Sequence, residues 1–192
     1  MLSNPEINQI VACYYKLHPA EVERGAVFRH FLDTNTDYVS RTNFNGHITT
    51  SAFVLSADGQ SLLLIHHVSL NRLLQPGGHF EGDENFIASA LREVEEETGL
   101  PASTLELIGD GAMPMDIDPH LIPASKKREE PEHYHYDLRY LFRVKKHAEI
   151  RLQLEEVSAC GWFPLDSPEV EGAISALIRM KITNAQRQMA ND

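Results

Sequence analysis

Residues Gly77 to Leu100 read GGHFEGDENFIASALREVEEETGL, and four glutamates, Glu93, Glu95, Glu96 and Glu97, fall within five positions near the end of the stretch. Residues three and four apart share one face of a helix, so Glu93, Glu96 and Glu97 crowd together. Each such like-charge pair costs a helix roughly 0.2–0.5 kcal/mol, and the one cation close by in sequence is Arg92. A hard divalent cation relieves this crowding, because Mg2+ and Mn2+ prefer carboxylate oxygens. A solvated acidic helix face is the plainer alternative.

The flanks read as a built site. Pro76-Gly77-Gly78 signals a turn that only glycine conformations allow. Asp83 is placed to cap the following helix, and Glu84 suits its positive end. Ile87, Ala90, Leu91 and Val94 recur at helical spacing and predict a buried side. Gly99 ends the helix, with Pro101 just beyond. The reading is loop, capped helix, loop, with an apolar face inward and three carboxylates outward.

The order glycine, five residues, Glu, seven residues, Arg-Glu, aliphatic, any, Glu-Glu, any, glycine, aliphatic resembles the Nudix box. Every fixed position is filled, by Gly78, Glu84, Arg92, Glu93, Val94, Glu96, Glu97, Gly99 and Leu100. The resemblance implies that Glu93, Glu96 and Glu97 ligate Mg2+ or Mn2+, assisted by the Gly78 carbonyl, and serve in catalysis. It implies that Glu84 and Arg92 form a buried pair orienting the loop–helix–loop. It implies an α/β fold, an α/β/α sandwich around a mixed sheet, and a pyrophosphohydrolase acting on a nucleoside diphosphate linked to a moiety X. Members similar to ADP-ribose pyrophosphatases often carry a proline about fifteen residues past the box, and Pro114 lies close to that spacing. A non-catalytic nucleotide-sensing module is the alternative. The isoprenoid-diphosphate isomerase branch would need a catalytic cysteine, and neither Cys13 nor Cys160 stands in such a context.

Composition agrees with one modest catalytic domain. The chain has 192 residues, 42% hydrophobic and 23% charged, with a formal net charge of −11. That excess argues against general nucleic-acid binding, which needs Lys and Arg against phosphate. It also means that an anionic diphosphate requires metal and local cations to offset the field. Arg72, His79 beside the glycine turn, and Lys127 are the candidates for phosphate contacts. Two isolated cysteines point to a reduced, cytoplasmic setting, and no apolar run approaches a membrane span.

Along the chain, residues 1–45 read as a helical extension and 46–192 as the Nudix domain with a closing helix. Short amphipathic helices are expected over 5–17 and 19–32, divided at Pro19, with a polar linker from Asp33 to Asn45. The extension packs on the core in the simplest reading; a substrate lid or a homodimer contact are the others. His47–Leu55 and Ser61–Val68 are β-rich runs around Asp58-Gly59, a hairpin signal. Arg72–Gln75, Leu105–Gly109, Tyr134–Val144 and Val157–Trp162 continue the strands, and 168–189 forms the last helix.

Outside the box, Asp116, Asp118 and His120 alternate, as do His133, His135, Asp137 and Arg139. Alternate residues of a strand share a face. Each set either lines a cleft beside the carboxylate helix, forms the wet face of a sheet, or holds a second metal. Between them lies a charged, proline-flanked segment, Pro123–Glu132. Enzymes of the resembled family often draw a general base from such a loop, and Glu130 and Glu132 are the candidates.

Overall fold

The computed structural model describes residues 2–68, 70–126, 128–146 and 157–189. Its elements are α1 (Asn4–Leu17), α2 (Ala26–Thr34), β1 (His47–Leu55), β2 (Ser61–His67), β3 (Arg72–Leu74), β4 (Gly77–His79), α3 (Phe86–Thr98), β5 (Leu105–Ile108), β6 (Asp116–Ile122), β7 (His133–Val144), β8 (Val157–Pro164), α4 (Pro168–Ala173) and α5 (Ala176–Met189). The strands form one mixed eight-stranded sheet in which β7 runs parallel to β1 and antiparallel to β5 and β6. β1 and β2 make the expected hairpin, with Gly59 at φ +71 in its turn.

Side chains alternate across the sheet and give it two apolar faces. Ile48, Ala52, Val54, Tyr136, Leu138 and Phe142 pack on one side against Phe86, Ala90 and Val94 of α3. Ile7, Val11 and Tyr14 of α1 and Phe28 and Phe31 of α2 belong to that same cluster, so the extension is covered by the core rather than held off as a lid. Phe53, Leu55, Leu62, Leu64 and Leu141 pack on the other side against Val170, Ile174, Ile178 and Ile182. Helices on both faces of a mixed sheet make the α/β/α sandwich.

Two expected helices are shorter than their patterns. The 19–32 segment is a single 3-10 turn at Pro19–Glu21, then α2 from Ala26. Glu21 is buried there on Lys181 and Tyr14, and an unbroken helix would have to carry that contact. The 168–189 segment divides at Ile174-Ser175 into α4 and α5, while Val170, Ile174, Ile178 and Ile182 all stay buried.

The second face of the sheet is apolar only where α4 and α5 cover it. Toward the start of β1 it turns polar. Register places His47 beside His135, Thr49 beside Asp137 and Ser51 beside Arg139, while β6 sets Asp116, Asp118 and His120 opposite Arg139, Asp137 and His135. The two alternating sets read from the sequence thus share one face.

Candidate active site

α3 begins where Asn85 accepts a hydrogen bond from the Ala88 amide at 2.9 Å, and ends where Gly99 adopts φ 69. The cap is Asn85, not Asp83, because the Asn85 side chain is the one within reach of a free first-turn amide. Thr50 donates to Ser89 at 2.8 Å and fixes the helix on β1. β4 pairs with β1, with Gly77 opposite Ser51 and Gly78 opposite Thr50, and this brings the glycine pair under the helix.

The expected glycine-only turn is not formed: Gly77 and Gly78 lie in β4 and neither has a positive φ, so close contact rather than backbone conformation is what favours glycine at both. A Cβ on Gly77 would meet the Ser51 Cβ at 2.4 Å and the Thr50 carbonyl at 2.7 Å; one on Gly78 would meet the Glu93 carboxyl at 2.6 Å. The Gly77 amide donates to Glu97 Oε2 at 2.9 Å. The glycine pair therefore touches two of the three carboxylates.

Arg92 gathers the rest. It donates to the His79 carbonyl at 2.8 Å and to Asp83 at 3.2 Å, and its Nη1 lies 2.9 Å from both Glu93 Oε1 and Glu96 Oε2. The expected buried Glu84–Arg92 pair is not the one formed. With Asn85 as cap, Asp83 lies on the turn facing the guanidinium, and Glu84 points into solvent.

The three glutamates do not form a uniformly outward face. Glu93 is 9% exposed and Glu97 half-buried, while the Glu96 side chain is 57% exposed. Burial pushes the Glu93 carboxyl up to about 7; Arg92 opposes the shift, and Glu96 and Glu81 add to it. Desolvation therefore outweighs Arg92 at this carboxyl, and added positive charge would favour its ionised form.

The other expected residues scatter. Arg72 opens β3, exposed and opposite His67. Glu130 is held by Arg128 at 3.0 Å and Arg41 at 3.8 Å, and it bridges to Ser125. Lys127 lies outside the described residues. His79 is half-buried against His47 and His135, and burial with the neighbouring His47 pushes it down to about 4. A neutral imidazole brings no positive charge to a phosphate at pH 7.

The polar stripe beyond the glycine pair is mostly shielded and is no wet sheet face: Asp116, Asp137 and His133 are buried. Asp116 Oδ1 lies 2.7 Å from both Arg24 and Lys181, Asp137 accepts from Ser51 at 2.7 Å and from Arg139 at 3.0 Å, and Glu21 lies 2.7 Å from Lys181. Burial alone would raise Asp116, but Lys181, Arg24 and Arg139 hold it below the ordinary carboxylate range. Arg24, Glu21 and Lys181 carried no signal in the sequence, since no motif joins positions so far apart.

A NUDIX domain model matches residues 46–179, well over half of the chain. The chain belongs to the Nudix hydrolase family. It is 29% identical over 147 residues to a probable DHNTP pyrophosphohydrolase of Lactococcus lactis subsp. cremoris, covering 77% of this chain and 81% of that protein. It is 31% identical over 139 residues to the Danio rerio m7GpppN-mRNA hydrolase NUDT17, covering 66% of this chain but 44% of that protein. Among solved structures, an E. coli dihydroneopterin triphosphate pyrophosphohydrolase superposes with a TM-score of 0.56 at 16% identity, covering 77% of this chain and 96% of that one. A C. elegans Ap4A hydrolase complex gives the same score at 16% identity, covering 76% and 98%. Both structural likenesses speak to the fold. No helix among the described residues is long and apolar enough to cross a membrane.

Proposed function

We propose that this Nudix hydrolase is a metal-dependent pyrophosphohydrolase that cuts the diphosphate linkage of a nucleoside diphosphate joined to a second moiety, ADP-ribose-like compounds being the first class to test. One observation carries the reading: Arg92 engages Glu93 and Glu96, while Gly77 and Gly78 meet Glu97 and Glu93, so one arginine and one glycine pair reach all three carboxylates. An all-oxygen donor set with a buried, partly protonated carboxyl fits Mg2+ or Mn2+. Glu93, Glu96, Glu97 and the Gly78 carbonyl would hold the ion. When bound, it supplies charge neutralisation for the diphosphate and a water that ionises near neutral pH.

The chain's own groups do the rest. Arg92 orients two of the carboxylates and ties them to β4 through the His79 carbonyl. We assign to Glu97, whose Oε2 accepts from the Gly77 amide, the role of taking the proton of the attacking water. Glu130 is the weaker choice for that role, because Arg128 and Arg41 already engage its oxygens. Arg72 and Lys127 are the candidates for outer phosphate contacts. The relatives named for a pterin triphosphate and a capped mRNA widen the range of diphosphate compounds worth testing. A net charge of −11 favours a small nucleotide over a nucleic-acid chain. Two free cysteines fit a cytoplasmic setting.

The test is product formation by chromatography and mass spectrometry with Mg2+ or Mn2+. The panel is ADP-ribose, NADH, nucleotide sugars, dinucleoside polyphosphates and nucleoside triphosphates, with Glu97→Gln as the blank. Cleavage of one class, lost in the blank, supports the reading. Binding without cleavage would move the chain to the sensing class.

A further inference from the structure

Five imidazoles, from His47, His79, His120, His133 and His135, pack ring against ring in stacked, tilted and edge-on pairs on the polar sheet face. Three of them also bring ring nitrogens together. One ring nitrogen each of His47, His133 and His135 lies within 4.8 Å of the other two. The parallel pairing of β1 with β7 sets His47 opposite His135, and His133 lies two residues back on the same face.

The hydrogen bonds fix which nitrogens face inward. His133 Nδ1 is 2.8 Å from the Pro131 carbonyl, and His47 Nδ1 is 3.4 Å from the Asn43 carbonyl. A carbonyl only accepts, so each Nδ1 carries the proton and each Nε2 keeps its lone pair. His47 is 1% exposed, and its Nε2 is buried with no hydrogen-bond partner. Buried polar atoms are rarely left this way, and one that is calls for an unseen ion or water. Anchoring Nδ1–H on a backbone carbonyl while Nε2 points at a common centre is how metal-binding histidines are oriented.

The spacing agrees. His133 Nε2 and His135 Nε2 are 3.3 Å apart, a hydrogen bond in which His135 donates and whose proton an ion would displace. Two nitrogens on a tetrahedral ion with bonds of about 2.0–2.1 Å stand about 3.3 Å apart. Imidazole donors suit zinc and its neighbours in the transition series, whereas the carboxylates of α3 suit hard cations. Two such donor sets would select different ions.

We propose that His47, His133 and His135 bind one zinc-class transition-metal ion, separate from the carboxylate site, with His79 or a solvent molecule at the fourth position. Such an ion clamps β1 to β7 where the 123–132 segment joins the sheet.

The test uses the full chain, free of any polyhistidine tag and stripped with chelator, titrated with Co2+ and then Zn2+. The expected result is one tightly held ion with the visible ligand-field absorption of tetrahedral Co2+, displaced by Zn2+. X-ray absorption of the zinc-loaded wild type should show imidazole scattering from three or more rings, a readout that needs no variant. His133→Gln with His135→Gln, checked for folding by circular dichroism, should abolish the bands, and Glu97→Gln should leave them unchanged. Absence of tetrahedral bands in the wild type, oxygen-dominated scattering, or bands lost in Glu97→Gln and kept in the histidine variant would each overturn the proposal. Because Glu97→Gln removes hydrolysis in the preceding reading, activity and Co2+ absorption fail separately.

Discussion

The Gly77 amide donates to Glu97 Oε2 at 2.9 Å across twenty positions of sequence, and this bond joins the glycine pair to the far end of the carboxylate helix. Its acceptor survives in Glu97→Gln, because a glutamine side chain keeps one carbonyl oxygen. Glu97→Gln should hold its melting temperature within a few degrees of wild type while turnover falls by about 10²-fold or more, in the range of a lost catalytic proton acceptor. Differential scanning fluorimetry beside a product assay checks both halves. Near-wild-type turnover would remove Glu97 from the machinery.

Gly78→Ala separates position from chemistry. Its Cβ would sit 2.6 Å from the Glu93 carboxyl, so the carboxyl must move. A displacement near 1 Å at a reacting centre can cost about 10²-fold, and a loss of that order in kcat with the fold kept is the expected outcome. Gly77→Ala meets Thr50 backbone instead, and should cost stability by about 1–3 kcal/mol through overpacking. Urea denaturation of the two variants distinguishes them.

The Arg92 partnership gives a third check. Asp83→Asn removes the carboxylate that Arg92 reaches at 3.2 Å and should destabilise the apoprotein by about 1 kcal/mol. Glu84→Gln changes an exposed side chain and should stay within about 0.5 kcal/mol of wild type. The reverse ranking in urea denaturation would restore the Glu84–Arg92 pair.

That substitution of partner shows where sequence reading stops. The box spacing placed α3 and the positions of its three glutamates along it, since those follow from helical period, whereas Gly77 and Gly78 read as a turn and lie in β4. Asp83 and Asn85 both carry a capping oxygen, and which one caps depends on a loop geometry that spacing does not encode. The same holds for His47, which read only as the first residue of a strand. Its place beside His135 follows from a parallel pairing of β1 and β7 across almost ninety residues. Glu21, Arg24, Asp116 and Lys181 meet through three separate elements, and no local pattern announces them.

Glu93 makes the chelated apoprotein pH-sensitive. Its folded value of about 7 lies above the ordinary 4.5, so folding favours the protonated form. The stability it contributes is full below about 4.5, declines as pH rises toward 7, and is absent above. Subtracting the Glu93→Gln curve from wild type in chelator should expose this downward slope. A flat difference would remove the raised value. In the same window, Mg2+ loading should release protons, because the ion needs the carboxylate.

Asp116 gives the opposite sign. Lys181, Arg24 and Arg139 hold it below the ordinary carboxylate range despite its burial, so the ionised form is favoured in the folded chain. Its contribution is full above the ordinary value and disappears as pH falls through the depressed one. Asp116→Asn leaves Lys181 and Arg24 each facing one acid fewer, and Lys181 is nearly buried. Removing one partner of such a buried group costs about 3–5 kcal/mol. The variant should lose that much in urea at neutral pH and show a shallower acid transition than wild type. Pairing the change with Lys181→Met should recover part of the loss, because the stranded ammonium is then gone. A double variant that is as unstable as the two single losses added together would mean that Asp116 and Lys181 act independently, and that the network does not fasten α5 to the extension.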